Sequence, residues 1–317
     1  TISRSTITTQ PTVIVELSDG IHSGFGEATT NDYYGMTGQR IVAAIESVRD
    51  KIESASCLDP AQLWAQLHDQ LLDDPFAMCA IDQAAYDLWG KQRTTPVHRL
   101  WKLDINHLPV SNFTIGIDTV ENMINKLQEV PDWPVYKIKL GTTDDLKIIT
   151  ELRRHTAATF RVDANCGWTV DETIANARQL RELGVEFIEQ PLPAEDIDGS
   201  VRVYQHSVLP IMADESCITE PDVKNCKDQF HGINIKLVKC GGLTPARRMI
   251  KQARQLDLKV MVGCMTESTV GISAIAQLLP LLDFVDMDGA ELLAEDIASG
   301  VRVERGICHY SQLPGSG

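Results

Sequence analysis

The chain has 317 residues, of which 43% are hydrophobic and 23% charged, and its formal net charge is −15. This composition predicts a globular protein with a buried core, arranged as one large domain or two. The acidic balance argues against nucleic acid or an anionic membrane as a partner, because both favour basic surfaces. No apolar run reaches the roughly 18 residues of a membrane span. Eight scattered cysteines without a C-x-x-C pair, and no visible signal peptide, favour reduced thiols in a cytoplasmic protein.

The first hundred residues predict an α+β domain. Thr12 to Leu17 is rich in β-branched residues and ends at the turn signal Asp19-Gly20. Gly24-Phe25-Gly26 begins like a dinucleotide fingerprint, but no third glycine and no helix follow at the required spacing, so we reject that interpretation. Residues 38 to 103 have the pattern of amphipathic helices. We expect a first domain over residues 1–106.

From about residue 108, short β-branched runs alternate with helical stretches of 10–15 residues. The polar residues that end five successive strands lie 24, 26, 25 and 22 positions apart. Such a regular strand-plus-helix repeat predicts a closed (β/α)8 barrel over residues 107–295, with an open doubly wound sheet as the alternative. We expect residues 296–317 to return to the first domain. The predicted strands are Ser111–Ile117, Val135–Leu140, Phe160–Asn165, Phe187–Gln190, Ile211–Asp214, Ile233–Val238, Lys259–Met265 and Phe284–Asp288.

Three consecutive predicted strands end in a carboxylate: Asp163, Glu189 and Asp214. The carboxyl ends of all strands in a parallel barrel meet on one face, so these side chains converge. Three buried like charges need a cation, and three hard oxygen ligands suit Mg²⁺. The alternative is that each carboxylate caps the helix that follows its strand.

Lysines end the second and sixth predicted strands, at Lys139 and Lys236. Strands two and six of an eight-stranded barrel lie on opposite sides, so the two amines face each other across the carboxylates. This arrangement suits the inversion of a stereocentre, in which one base removes a proton and its partner returns one to the other face. We expect Lys137 and the metal to lower the pKa of the lysine base. Surface or salt-bridged lysines are the alternative.

This order of lysine, aspartate, glutamate, aspartate and lysine resembles the enolase superfamily, and within it the muconate-lactonizing-enzyme subgroup. That subgroup carries K-x-K on strand two, here Lys137-Ile138-Lys139, and a lysine on strand six. The resemblance covers almost the whole chain, and it implies a capping domain in front of the barrel. It implies that the three carboxylates bind Mg²⁺, that Lys139 and Lys236 are the acid and base, and that Lys137 assists at the substrate carboxylate. It allows a homo-oligomer without fixing the number of subunits.

Strand eight ends Asp286-Met287-Asp288, which places two carboxylates on one side of a strand. Such a pair can bind an ammonium group, and it resembles the D-x-D of the dipeptide epimerases. The resemblance implies a dipeptide substrate, with Thr114 and Cys264 lining its pocket. Helix or loop capping is the alternative for the aspartates, and wall packing is the alternative for Cys264.

Arg4 resembles an arginine that meets the distal carboxylate of Ala-Glu in some of these epimerases. It could instead bind the peptide's own carboxylate, or be an exposed loop residue. Cys166 departs from the family, which often has glutamine there. The rival functions are o-succinylbenzoate synthase or N-succinylamino acid racemase, more weakly a muconate-type cycloisomerase, and, in another class, a non-catalytic metal-binding barrel. Which dipeptide is the substrate stays open.

Overall fold

The computed structural model describes residues 8–55 and 59–317. Its main element is an eight-stranded parallel sheet in the order β3 to β10, in which each strand pairs with its neighbour in the sequence. An isolated parallel bridge between Ser111 and Val285 joins the first and last strands of this sheet. The predicted (β/α)8 barrel is therefore confirmed. The strands are β1 Thr12–Ser18, β2 Ser23–Thr29, β3 Phe113–Ile115, β4 Val135–Lys139, β5 Thr159–Asp163, β6 Val185–Glu189, β7 Ile211–Ala213, β8 Gly232–Lys236, β9 Lys259–Gly263, β10 Phe284–Asp286, β11 Arg302–Glu304 and β12 Ile307–His309.

Helices α1 to α5 belong to the first domain, and α6 to α12 follow barrel strands. Short 3₁₀ segments at Asp32–Tyr34, Glu220–Cys226, Leu279–Leu281 and Ala290–Leu292 complete the described elements. No helix in the described ranges combines the length and the apolar character that crossing a membrane requires. The helices are α1 Gly38–Ser47, α2 Arg49–Glu53, α3 Pro60–Leu67, α4 Pro75–Gln92, α5 Val97–Leu100, α6 Val120–Glu129, α7 Asp145–Arg153, α8 Val170–Glu182, α9 Ile197–His206, α10 Leu237–Cys240, α11 Leu243–Gln255 and α12 Thr269–Ala276.

The interior of the barrel is layered because alternate residues of each strand point inward. Phe187, Met212, Met261 and Phe284 form a separate apolar cluster. Three of these residues lie two positions before an acidic residue at or just after the end of their strand: Phe187 before Glu189, Met212 before Asp214 and Phe284 before Asp286. The lower layer thus closes the barrel floor, and the layer above it carries the charged side chains.

In the first domain, the antiparallel hairpin β1–β2 packs on the long helix α4. The approach is so close that a Cβ on Gly24 would lie 2.3 Å from the backbone oxygen of Ala84, and one on Gly26 would lie 2.0 Å from that of Ala80. The two glycines of Gly24-Phe25-Gly26 therefore allow a strand to pack closely on a helix. This packing role accounts for the glycines without a bound nucleotide.

We expect Gly26→Ala to destabilise the protein by about 3 kcal/mol, because the added methyl meets rigid backbone and forces β2 off α4. Gly38→Ala is the matched control, since a Cβ there would make an ordinary contact of 3.7 Å with Thr30. Urea unfolding of both variants measures the difference. Equal stability of the two variants would show that β2 and α4 separate without cost.

Buried hydrogen bonds join the first domain to the barrel. Glu27 of β2 accepts hydrogen bonds from the backbone N–H of Ser268 (3.0 Å), from its hydroxyl (2.6 Å) and from the N–H of Gly271 (3.0 Å), at the start of α12. A carboxylate suits a helix N-terminus because the free N–H groups there carry partial positive charge. Asp82 of α4 accepts from the N–H and the hydroxyl of Thr244, each at 2.8 Å, at the start of α11.

The end of the chain returns to the first domain. The N–H of Val97 donates to the carbonyl of Gly315 (2.9 Å), and the N–H of Ser316 donates to the carboxylate of Asp87 (2.8 Å). The exact boundaries at residues 106 and 295 stay predictions.

The sixth barrel strand, β8, ends before the predicted strand does. The predicted strand ran to Val238, but the structure ends it at Lys236 and forms the one-turn helix α10 from Leu237. Gly241 and Gly242 follow with φ of 91° and 112°, a backbone conformation that glycine adopts without strain. Leu237 and Val238, the last two residues of the predicted strand, therefore belong to this helical turn. The turn also carries Lys239.

Candidate active site

The three predicted carboxylates converge at one end of the barrel. Asp163, Glu189 and Asp214 are 0%, 0% and 1% exposed, and one oxygen from each lies within 4.8 Å of the others. The pairing of Asp163 with Glu189 across β5 and β6 puts two of them side by side. The helix-capping alternative does not describe them, because their side chains point at one another and at lysines inside the barrel.

Lys137 lies in the middle of this cluster with its side chain 2% exposed. Its Nζ is 2.8 Å from Glu189, 2.8 Å from Asp286 and 3.3 Å from Asp163. Burial lowers the pKa of Lys137, but the three surrounding carboxylates raise it well above its ordinary value. This lysine is a permanent positive charge that links the carboxylate cluster to strand β10; its predicted role at a substrate carboxylate stays a prediction.

Lys139 and Lys236 lie on either side of the carboxylates. The Nζ of Lys139 is 2.6 Å from Asp163, and the Nζ of Lys236 is 2.8 Å from Asp214. Their strands β4 and β8 are four places apart in a ring of eight, so the lysines belong to opposite walls. Each side chain keeps some exposure, 13% and 11%, where the other charged groups of the cluster have almost none. Within this cluster, Lys139 and Lys236 are therefore the charged side chains most accessible from the barrel mouth.

The electrostatics of Lys236 differ from our expectation for a base. Burial lowers its pKa and Lys137 does so as well, but Asp214 and Glu189 raise it above the ordinary value. The pKa is raised because a carboxylate is its nearest partner. A cation shared among the three carboxylates would compete for the same negative charge and weaken this effect.

The carboxylates themselves fit a divalent cation. Burial raises the pKa of Glu189 to about 7 and the Asp163 charge adds to this effect, so a bound cation would favour the ionised form of Glu189. Burial raises the pKa of Asp163, but Lys139 and Lys137 outweigh burial and hold this pKa below its ordinary value. Three hard, buried oxygen donors that lie this close together match the preference of Mg²⁺.

A second group of side chains lies beside the first. One oxygen each from Asp286 and Asp288 lies within 4.8 Å of the other and of the Cys264 sulfur, and all three residues are buried. Asp286 receives 2.7 Å and 2.8 Å bonds from Asn112 and Lys137. Asp288 accepts from the backbone N–H of Thr114 at 2.5 Å. The structure thus brings together five of the six residues predicted to bind substrate: Lys137, Thr114, Cys264, Asp286 and Asp288.

The two aspartates have different charge environments. Burial raises the pKa of Asp286, but Lys137 outweighs it and lowers the pKa to about 2. Burial and the Asp286 charge raise the pKa of Asp288 to about 8. Asp286 is therefore already balanced by a lysine, whereas Asp288 is a buried carboxyl that would ionise readily beside an added cation.

Several polar residues around the site were not among the predicted site residues. Asn234 donates to Glu189 at 2.8 Å, Asn112 donates to Asp286, and Gln190 accepts from the N–H of Asp214 at 2.9 Å. Asn234 could have been found, because it precedes Lys236 by two residues and shares its side of the strand. Lys239 was not predicted either. The predicted strand extended to Val238, where the structure has the helical turn α10 that carries Lys239.

The loop of the first domain around Asp32–Tyr34 reaches the barrel mouth. The amide of Asn31 lies 3.8 Å from the sulfur of Met265 in the loop after β9. Burial and the Asp214 charge raise the pKa of Tyr34, which places that ring close to the acidic cluster. Arg4 lies outside the described residues, so its role stays a prediction.

A capped (β/α)8 barrel with three convergent carboxylates and a lysine on either side defines an enzyme of the enolase type. Family models agree over both parts of the chain. Residues 1–101 match the mandelate racemase / muconate lactonizing enzyme N-terminal domain, and residues 120–317 match the enolase C-terminal domain-like family. The chain belongs to this family of the enolase superfamily.

Individual relatives narrow the class. An L-Ala-D/L-amino acid epimerase of Flavobacterium johnsoniae is 54% identical over 317 residues, which are 100% of this chain and 94% of that protein. A substrate-liganded L-Ala-D/L-Glu epimerase from Bacillus subtilis has a TM-score of 0.94 at 26% identity, covering 100% of this chain and 93% of that one. A Methylococcus capsulatus dipeptide epimerase, complexed with Mg and L-Arg-D-Lys, has a TM-score of 0.88 at 31% identity, covering 96% and 91%. The predicted resemblance is confirmed, and the chain is an isomerase of the racemase and epimerase class.

Proposed function

We propose that this chain is a Mg²⁺-dependent epimerase that inverts the α-carbon of the second residue of a dipeptide, with L-Ala favoured as the first residue. The observation that carries the proposal is the pair of acidic groups on either side of Lys137: a carboxylate triad for a metal and an aspartate pair for an ammonium. A dipeptide has a carboxylate at one end and an ammonium at the other. The names and ligands of the relatives point to the same substrate class.

Asp163, Glu189 and Asp214 are the residues that would hold Mg²⁺. When bound there, Mg²⁺ supplies positive charge for the substrate carboxylate and for the negative charge that develops on its oxygens. Lys137 adds a fixed positive charge at the base of the same cluster.

Lys139 and Lys236 carry the proton transfers in this proposal. The neutral amine on one wall removes the α-proton and becomes an ammonium, which leaves an enediolate. The ammonium on the opposite wall gives a proton to the other face of the carbon and becomes the neutral amine. Exchange of the two roles runs the reaction backwards, so both diastereomers are substrates. The position of the two lysines on opposite barrel strands, each partly exposed, supports this two-base scheme.

Asp286 and Asp288 would bind the α-ammonium of the first residue. Asp288 is suited to this because it is buried, has a pKa raised to about 8 and, within residues 8–55 and 59–317, forms no ion pair with a lysine. An ammonium would supply the missing charge and donate hydrogen bonds. Thr114 and Cys264 border the same space and would limit the size of the first side chain.

The aspartate pair also separates the proposal from its rivals. N-succinylamino acids, o-succinylbenzoate precursors and muconate offer no free ammonium, so they would leave Asp288 without a cation in a buried site. A non-catalytic barrel would not need two amines of partial exposure on opposite walls. We therefore favour a dipeptide.

The test is proton exchange in D₂O with Mg²⁺, using L-Ala-L-X dipeptides that differ in the second residue. We expect a mass gain of one unit, located at the second α-carbon, together with the matching diastereomer. Mass spectrometry detects the label, and chiral chromatography separates the diastereomers. Exchange in N-succinylamino acids but in no dipeptide would overturn the choice of substrate. No exchange in either class, with Mg²⁺ bound, would overturn the proposed chemistry.

A further inference from the structure

Two lysines rank among the largest fully buried side chains of the described chain: Lys137 and Lys239. Lys137 belongs to the carboxylate cluster described above. Lys239 is on α10, three residues after Lys236, and its side chain is 0% exposed. A lysine is almost never fully buried unless it is paired, so its partner indicates what it does.

The partner of Lys239 is Asp214, which it contacts twice. Its Nζ donates to the Oδ1 of Asp214 at 2.5 Å and to the backbone carbonyl of the same residue at 2.7 Å. The N–H of Asp214 donates to Gln190 at 2.9 Å. Both backbone groups and one carboxylate oxygen of Asp214 are thus held by neighbouring side chains.

The remaining oxygen, Oδ2, faces Lys236 at 2.8 Å. If Lys236 is an acid and base, its amine must be able to leave this contact, whereas Lys239 has no exposure and no such freedom. Lys239 therefore fixes which oxygen of Asp214 is offered to the cluster and leaves Oδ2 for a ligand. Burial raises the pKa of Asp214, but Lys236 and Lys239 hold it well below its ordinary value.

The position of Lys239 depends in turn on the first domain. Trp64 of α3 donates to the carbonyl of Gly241 at 2.9 Å. A Cβ on Gly242 would lie 2.5 Å from the Oδ2 of Asp82, so α4 also presses closely on the end of α10. Docking of the first domain thereby holds the turn from which Lys239 reaches Asp214.

We propose that Lys239 is a positioning residue for the metal site, which holds Asp214 in the orientation that binds Mg²⁺ and ties that orientation to the docked first domain. This inference rests on the proposed metal site at Asp163, Glu189 and Asp214. It concerns the affinity for the metal and assigns Lys239 no contact with substrate. A second view, in which Lys239 only balances charge, makes the opposite prediction. Removing a positive charge near a divalent cation strengthens binding by simple electrostatics, whereas removing a group that orients a ligand weakens it.

The experiment is isothermal titration of Mg²⁺ into the full chain without substrate. We expect Lys239→Met to raise the Mg²⁺ Kd by about 10–100-fold, the effect typical of residues that orient metal ligands. Lys239→Gln keeps N–H donors but no charge, and we expect a smaller increase. Lys251→Met, at an exposed site on α11, is the matched control and should bind as the wild type does.

Circular dichroism and thermal unfolding establish that each variant is folded. Equal or tighter Mg²⁺ binding by folded Lys239→Met would overturn the inference. If that variant does not fold, Lys239→Gln decides, and tighter or unchanged binding by it has the same meaning. A wild-type chain that binds no Mg²⁺ would instead refute the metal site of the proposed function, so the two failures are distinguishable.

Discussion

Lys139→Ala and Lys236→Ala are each expected to lower the epimerisation rate by roughly 10²–10⁴-fold, the contribution typical of one general acid or base. Inversion needs a proton taken from one face and another delivered to the opposite face, so loss of either amine removes one of the two required proton transfers. The fold should survive. Without Lys139, Asp163 still contacts Lys137, and without Lys236, Asp214 still contacts Lys239.

The Lys139→Ala and Lys236→Ala variants should nevertheless differ in which diastereomer still exchanges its α-proton with solvent. The surviving lysine can still remove an α-proton from the face it addresses and return a proton to that same face. Because its ammonium holds three exchangeable protons, deuterium from D₂O replaces the original hydrogen without inversion. Each variant should therefore label one diastereomer only, and the two variants should label opposite ones.

Mass spectrometry of separated L,L and L,D dipeptides after incubation in D₂O measures this pattern. Lys251→Ala, with its exposed side chain, is the control and should epimerise normally. If either lysine variant kept the full rate of inversion, the two-base scheme would be wrong. Loss of exchange in both diastereomers by one folded variant would indicate a single base that serves both faces.

The barrel and its charged rim were predictable because they depend on local periodicity. Strand ends about 25 residues apart define strand-plus-helix units, and a parallel barrel places all such ends on one face. Asp163, Glu189 and Asp214 therefore had to meet, whatever the details of packing. The predicted barrel strands were correct in number and order, and all eight ended one or two residues beyond the observed ends.

Contacts that depend on turns and on distant segments were not predictable in this way. Lys239 reaches Asp214 only because the chain leaves β8 at Lys236 and makes a single helical turn, where the β-branched pattern suggested a longer strand. Glu27 meets Ser268 across 241 positions in the sequence. Neither contact leaves a periodic signal, because the first depends on a single turn and the second on how two domains pack.

Asp288→Asn is expected to lower kcat/KM for a dipeptide by about 30- to 4,000-fold, the equivalent of the 2–5 kcal/mol typical of removing one partner of a buried charge pair. The amide keeps the size of the carboxyl group and can still accept from the N–H of Thr114. It cannot balance the α-ammonium of the substrate. Asp286 does not compensate, because Lys137 already balances its charge.

Asp288 should also make substrate binding depend on pH. Its pKa is about 8 before an ammonium arrives, so below pH 8 the carboxyl is mostly protonated. Dipeptide binding must then displace that proton, and KM should rise as the pH falls from 8 to 6. Asp288→Asn has no proton to displace, and its KM should change less over this range.

An N-acetylated dipeptide provides the decisive comparison, because it has the peptide carboxylate and no ammonium. The wild type should prefer the free dipeptide strongly, and Asp288→Asn should lose most of that preference by losing activity on the free form. Asp257→Asn, an exposed position, is the control. If Asp288→Asn discriminated between the two substrates as the wild type does, the ammonium would bind elsewhere. The aspartate pair would then have a structural role with Lys137, and N-succinylamino acids would again be candidate substrates.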